Sequence, residues 1–173
     1  MQTIFETAIT DSDKARRRRL LHIILLATTA SGIITLVALM VVSPSGIGSE
    51  QDHRLLRLTA VGVILGSTII YAVSLYVSTE LAGVAFILSL LALAVLSDVP
   101  HEVANGRGLL VFALPIVGAS VLVKPWASFA AAGIASLAVV ALETAVLGNP
   151  VPNLPAIATF FLLALLSWLS AAA

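Results

Sequence analysis

Six long apolar segments, separated by short polar ones, dominate this chain of 173 residues. The first begins directly after the basic run Arg16–Arg19, and residues 20–42 then contain no Asp, Glu, Lys or Arg. About 23 helical residues at ~1.5 Å each are enough to cross a hydrocarbon core of ~30 Å. The pattern predicts six transmembrane helices, over residues 20–42, 58–77, 81–97, 108–123, 126–147 and 154–172.

The polar connections predict how these helices are joined. Residues 43–52 and 148–153 combine proline and glycine with polar side chains, which is typical of loops. Only Ser78–Glu80 separates the second span from the third, and residues 98–107 form the longest central loop. The sequence therefore predicts an all-α integral membrane protein, with its six helices in a bundle of three antiparallel hairpins.

Basic residues predict the orientation, because Lys and Arg are retained preferentially on the cytoplasmic side of a membrane. The side of the N-terminus carries Lys14, Arg16–Arg19 and Lys124, and the opposite side carries Arg54, Arg57 and Arg107. We therefore expect a multi-pass protein of the bacterial plasma (inner) membrane, with both termini cytoplasmic. Residues 1–19 are expected to be a frayed tail with a basic anchor, with an interfacial helix as the alternative. Residues 20–173 are expected to form one transmembrane domain.

The composition mainly excludes certain classes of protein and of binding site. The chain is 60% hydrophobic and 10% charged, with a mean hydropathy of +1.10, whereas an ordinary soluble domain has about 25% charged residues. A net charge of zero gives no indication of nucleic-acid binding, and the absence of cysteine excludes thiolate metal sites and disulfides. Motifs of soluble enzymes, such as a phosphate-binding loop, are missing. We expect neither an enzyme nor a cofactor or metal site.

Small residues predict where helices approach one another, because close packing in lipid relies on van der Waals fit. Gly62 and Gly66 form such a pair on the second span, and Ala131, Gly133 and Ala135 lie on a smooth part of the fifth. These positions could form a dimer face or a sliding contact. The simpler interpretation of the fifth span is a central helix packed among its neighbours.

Pro115 lies near the middle of the fourth span. Proline lacks a backbone N–H and tends to kink a helix, so the sequence predicts a kink here. A kink could serve as a hinge, although proline is also common in membrane helices without such a role.

Polar residues concentrate on the predicted outer side. Asp98, His101, Glu102 and Arg107 share the central loop, and Glu143 is the only carboxylate well inside a predicted span. An intramembrane carboxylate can carry protons or bind a ligand. Alternatively, it can snorkel towards the interface or pair locally, for which Arg107 is the expected partner. The loop residues could sense pH or bind a cation, but their spacing matches no metal motif, and a solvated loop is the simpler interpretation.

One stretch resembles a known class of proteins. After the acid Asp98 it contains Gly106-Arg107, Phe112, Pro115-Ile116, Ala119-Ser120 and Pro125-Trp126-Ala127-Ser128-Phe129. This pattern resembles the multi-span N-terminal input domains of bacterial sensor histidine kinases and diguanylate cyclases, as found in green nonsulfur bacteria. The resemblance covers residues 95–170. It implies a membrane-embedded sensory domain that signals through the sixth span to a cytoplasmic output module, which would lie beyond Ala173.

A second function stays open beside the sensor. The chain could be an accessory integral-membrane subunit of a larger respiratory, photosynthetic or transport complex, docked through the alanine-rich face of the fifth span. In either case the expected surroundings are the lipid bilayer, with a second copy of the chain or other membrane subunits as partners. A transporter or channel is disfavoured, because only isolated Ser and Thr residues lie near the predicted midplane.

Overall fold

The computed structural model describes residues 2–41, 50–96, 103, 107–146, 148 and 153–172. In these ranges the chain is helical apart from short connections, and it contains no strand. It divides into two compact units, Met1–Ala82 and Gly83–Ala173.

Six α-helices of ten or more residues occur in the described ranges. They are α1 (Gln2–Val41), α2 (Glu50–Tyr76), α3 (Thr79–Leu96), α4 (Ala113–Leu122), α5 (Ala127–Ala141) and α6 (Leu154–Ala172). A 3-10 segment, Arg107–Phe112, leads into α4, and a π-helical turn, Leu142–Val146, extends α5. The prediction of an all-helical chain is confirmed for the part of the chain described.

Five of the helices are long and apolar enough to cross a membrane. Their apolar parts are Lys14–Val41, Leu56–Tyr76, Thr79–Leu96, Ala127–Ala145 and Leu154–Ala171. The apolar helix Gly108–Leu122 is shorter. By length and composition the sequence prediction therefore holds for five spans, while the fourth span and the insertion of all six stay predictions.

The fourth apolar segment has few residues for crossing a membrane, and its 3-10 part compensates for this in part. A 3-10 helix rises ~2.0 Å per residue, against ~1.5 Å for an α-helix. Six residues of the first kind and ten of the second extend over roughly 27 Å, close to a hydrocarbon core of ~30 Å. The stretched geometry thus brings the fourth segment near to spanning length.

Helix α1 begins at Gln2, so the expectation of a frayed tail is wrong. The basic run Arg16–Arg19 lies within this helix and does not precede it. The physical reason is in the sequence, because no glycine or proline occurs from residue 2 until Gly32.

The first unit is built on an antiparallel pairing of α1 with α2. The hydrogen bonds that join them include three in the described part of the chain: His22 Nε2 with Ser74 Oγ (2.9 Å), Thr29 Oγ1 with Ser67 Oγ (2.7 Å) and Arg57 Nη2 to the carbonyl of Leu39 (3.1 Å). Each step forward along α1 is matched by an equal step backward along α2, so the register is constant. The three bonds extend over about 25 Å of helix at ~1.5 Å per residue.

Helices α1 and α2 approach each other closely at Gly32, a glycine that the spacing of small residues did not indicate. A Cβ atom at Gly32 would lie 2.9 Å from Cγ1 of Ile64 and 3.6 Å from the carbonyl oxygen of Ala60. At Gly62 and Gly66 a Cβ atom would meet nothing within 4 Å. Within the described residues, the predicted glycine pair therefore makes no close helix contact, and Gly32 does.

In the second unit, α4, α5 and α6 pack against one another, and α3 lies antiparallel to α4. A Cβ at Gly83 would be 3.4 Å from the carbonyl oxygen of Leu122, and a Cβ at Gly118 would be 3.2 Å from Ile87. Phe112 is buried at the start of this core, with its ring centroid 5.5 Å from that of Phe160 on α6. The core therefore begins in the 3-10 segment.

The alanine-rich face of α5 is part of this core. Its buried residues are Ala127, Ser128, Ala131, Ala132, Ala135, Ser136 and Val139. Gly133 is only partly covered, and a Cβ there would meet nothing within 4 Å. Most of the smooth face is thus occupied inside the chain, as in the interpretation of a central helix, and is not free for docking.

Candidate functional site

The predicted polar cluster is only partly visible in the structure. Asp98, His101 and Glu102 lie outside the described residues. Arg107 opens the 3-10 segment, but its side chain is outside the described part. The outer cluster and the pairing of Arg107 with Glu143 therefore stay predictions. The described part of the site consists of Glu143 and the residues that it contacts.

Glu143 lies in the π-helical turn that ends α5, and its side chain is 0% exposed. It follows the buried Val139 by four residues, and so continues the buried face of the helix. Snorkelling towards solvent, one of the interpretations open from the sequence, is excluded by this burial. Isolated π-turns within α-helices occur frequently at functional sites.

The carboxylate of Glu143 contacts the start of α6. Its Oε2 accepts a hydrogen bond from the backbone N–H of Asn153 at 2.7 Å. Asn153 is the N-cap of α6, because its Oδ1 accepts from the N–H of Ala156 at 3.1 Å and its carbonyl accepts from the N–H of Ile157 at 3.2 Å. Glu143 thereby ties the end of α5 to the first turn of α6.

This arrangement is a capping box divided between two helices. In an ordinary capping box, a Glu or Gln three residues after the N-cap returns to the N-cap N–H. That position holds Ala156, which cannot accept, and Glu143 takes its place from α5. Pro155 has no N–H, so one donor of the first turn needs no partner. The acid also lies at the positive end of the α6 dipole, which favours it there.

The second oxygen of Glu143 is unusual. Among the described residues, the buried Oε1 has no hydrogen-bond partner. A buried acceptor without a partner costs about 1–3 kcal/mol, and such atoms call for a functional or structural reason. In the part of the chain described, no group of three His, Cys, Asp or Glu residues could hold a metal ion. Within the part of the chain described, Glu143 is therefore a single buried acceptor.

Serine residues hold the other half of α6. Ser120 donates to the carbonyl of Val117 (2.9 Å) and lies 2.5 Å from Ser167 on α6. Since a hydroxyl has one proton, Ser167 is the donor to Ser120. Ser128 on α5 lies 3.1 Å from the carbonyl oxygen of Ala164 on α6. Sequence reasoning missed these contacts, because each serine is unremarkable until the helices are placed side by side.

Pro115 lies in the first turn of α4, at the junction with the 3-10 segment, and it is fully buried. Its missing N–H would have bonded the carbonyl of Val111 in a continuous α-helix. The structure thus places a change of helix type at this residue, where the sequence predicted a kink in mid-helix. A role as hinge stays a prediction.

No family model, no curated protein and no solved structure matches this chain. The resemblance to sensor input domains therefore stays a prediction, and the functional argument depends on the geometry of Glu143 and α6.

Proposed function

We propose that this protein is inserted in the bacterial inner membrane, crosses it six times and keeps both termini in the cytoplasm. The exposed surface supports insertion, because only 17–33% of the residues in the five long apolar segments are buried. A water-soluble chain with so much exposed apolar surface would aggregate, whereas lipid tails would cover it. The stretched segment before α4 supports the sixth crossing.

The topology is tested by single cysteines, since the chain has none of its own. Ser45→Cys, Asn105→Cys and Asn149→Cys should react with an impermeant maleimide in intact cells. Thr79→Cys should react only after lysis. Labelling of Thr79→Cys in intact cells, with Asn105→Cys protected, would overturn the orientation.

Within this membrane protein, the function that we propose is signal input, with α6 as the helix that transmits the signal to an output module. The hydrogen bond between Glu143 and Asn153 carries this proposal, because it couples the end of α5 to the start of α6. Helix α6 is unbroken over 19 residues, about 28 Å at ~1.5 Å per residue, so a shift at its start is transmitted along it. The serine contacts in its second half are weak enough to rearrange.

Transmission is tested by measuring the position of the far end of α6. Spin labels on Lys124→Cys and Ser170→Cys, both exposed positions of the second unit, report a distance in lipid nanodiscs. Glu143→Ala should shift or broaden this distance distribution, because it releases the first turn of α6. Thr144→Ala, an exposed neighbour in the same π-turn, is the matched control. An unchanged distribution in Glu143→Ala would contradict transmission through α6.

An accessory subunit of a larger membrane complex is the second candidate. The alanine-rich face of α5 no longer supports it, because that face is buried inside the chain. The open surface at Gly62 and Gly66 does support it, since small residues without neighbours allow another helix to approach closely. Native mass spectrometry after mild extraction separates the candidates. A different subunit in fixed stoichiometry favours the accessory role, and a single species or homodimer favours the sensor.

A further inference from the structure

An open groove of about 620 Å³ lies at the cytoplasmic end proposed for the first unit. It is lined by Lys14, Ala15, Arg18, Arg19, His22, Ile23, Leu26 and Thr79. No carboxylate is among the lining residues that the structure describes, and Glu80, the neighbour of Thr79, is not one of them. The groove is therefore positively charged at its polar end.

The groove changes chemistry along the axis of α1. Two rows of residues four positions apart share this face of the helix, one of Lys14, Arg18, His22 and Leu26, the other of Ala15, Arg19 and Ile23. Cations come first, the imidazole follows, and aliphatic side chains come last. Because α1 is proposed to cross the membrane, this order runs from the headgroup region towards the hydrocarbon.

The cations of the groove are available for a ligand. Lys14, Arg18 and Arg19 are exposed, and none has a hydrogen bond or ion pair within the described residues. Arginine presents a planar fork of donors that matches phosphate oxygens, and lysine adds a point charge. Three unpaired cations on adjacent turns therefore favour a phosphate group.

The boundary between the polar and apolar parts is held in place. The His22 ring contacts Ser74 at 2.9 Å, and its centroid is 4.9 Å from that of Tyr71. The floor of the groove is therefore tied to the α1–α2 pair, and a ligand would meet a preformed surface.

We propose that this groove binds one anionic phospholipid. The phosphate lies among Lys14, Arg18 and Arg19, and an acyl chain runs along Ile23 and Leu26. The inference depends on the proposed insertion of α1 with its N-terminus in the cytoplasm, and it is independent of the signalling role.

The test compares two double substitutions that remove the same charge. Arg18→Gln with Arg19→Gln removes two groove cations, whereas Arg16→Gln with Arg17→Gln removes two neighbours that do not line the groove. Binding of phosphatidylglycerol and of zwitterionic phosphatidylcholine to the delipidated protein is measured by native mass spectrometry. At about 1 kcal/mol per cation, the first variant should bind phosphatidylglycerol roughly 30-fold more weakly. The second variant should bind it nearly as the wild type does.

Three further results would decide the proposal. Equal losses in both double variants would reduce the effect to general attraction of anionic lipid and overturn the site. Displacement of the lipid by millimolar inorganic phosphate would identify a small-anion site and overturn the lipid assignment. Arg18→Lys with Arg19→Lys, which keeps the charge, should retain more binding than the glutamine pair. An inverted cysteine-labelling pattern would refute the orientation separately from these binding results.

Discussion

The substitution Gly32→Ala should weaken the pairing of α1 with α2. The new Cβ would lie 2.9 Å from Cγ1 of Ile64, well inside the ~3.5–4.0 Å of a normal carbon contact. Cγ1 is not the free end of a flexible chain, because isoleucine in a helix is held largely in one χ1 rotamer. Relief therefore requires the helices to move apart or Ile64 to leave its preferred rotamer. Such overpacking typically costs about 1–3 kcal/mol.

Helix propensity acts in the opposite direction, because alanine stabilises a helix relative to glycine. The effect of Gly32→Ala is therefore compared with that of Gly62→Ala. Alanine is favoured over glycine in a helix interior by up to about 1 kcal/mol. At Gly62 and Gly66 a Cβ meets nothing within 4 Å, so there this gain is expected alone. At Gly32 overpacking offsets it, for a net loss of about 0–2 kcal/mol. Gly32→Ala should therefore be less stable than Gly62→Ala by about 1–3 kcal/mol.

The measurement is reversible unfolding in mixed micelles, followed by energy transfer between dyes on Met40→Cys and Leu56→Cys. Both positions are exposed, and they flank the α1–α2 pair on opposite helices. Ile64→Ala removes the atom that the new Cβ meets. In the double variant it should therefore offset part of the loss of stability that Gly32→Ala causes. Equal stabilities for Gly32→Ala and Gly62→Ala, together with strict additivity in this cycle, would refute the proposed close approach.

Two further predictions concern polar contacts within each unit. Glu143→Ala should lower the stability of the second unit by about 1–3 kcal/mol in thermal unfolding, because the N–H of Asn153 loses its acceptor. Glu143→Gln keeps an acceptor and should therefore lose less stability. An equal loss in both variants would show that the bond to Asn153 contributes little. Thr29→Val and Ser67→Ala should be coupled by about 0.6 kcal/mol in a double-mutant cycle in micelles, since their hydroxyls bond at 2.7 Å, and zero coupling would contradict a direct bond.

The positions of the helices were readable from the sequence because long apolar runs have few alternatives in a chain of this composition. The start of α1 was not predicted correctly, although the relevant signal is present in the sequence. The absence of glycine and proline before Gly32 allows a helix to continue through the arginines to Gln2. A run of charged residues does not end a helix and marks only a change in the expected surroundings of that helix.

Helix contacts were harder to predict, because spacing shows which residues share a face but not which face meets a neighbour. Gly62 and Gly66 have the expected spacing, but a Cβ at either would meet no described atom within 4 Å, whereas a Cβ at Gly32 would lie 2.9 Å from Ile64. The orientation of α2 is determined by pairs far apart in sequence, such as Thr29 with Ser67. Each hydroxyl also lies within hydrogen-bond distance of a carbonyl on its own helix, Leu25 for Thr29 and Val63 for Ser67, so the sequence does not indicate the partner on the other helix.

Only half of the Glu143 site could be predicted from the sequence. Glu143 is recognisable as the only carboxylate well inside a predicted span, but its partner Asn153 lies beyond a connection whose geometry no pattern predicts. A leucine at this position would remove Oε1, which has no partner among the described residues, yet it would leave the N–H of Asn153 without its acceptor Oε2. The capping bond needs only one oxygen of the carboxylate. A glutamine keeps that oxygen, replaces the other with a donor and removes the charge, so any property lost in Glu143→Gln but not through lower stability must depend on Oε1 or on the charge of the carboxylate.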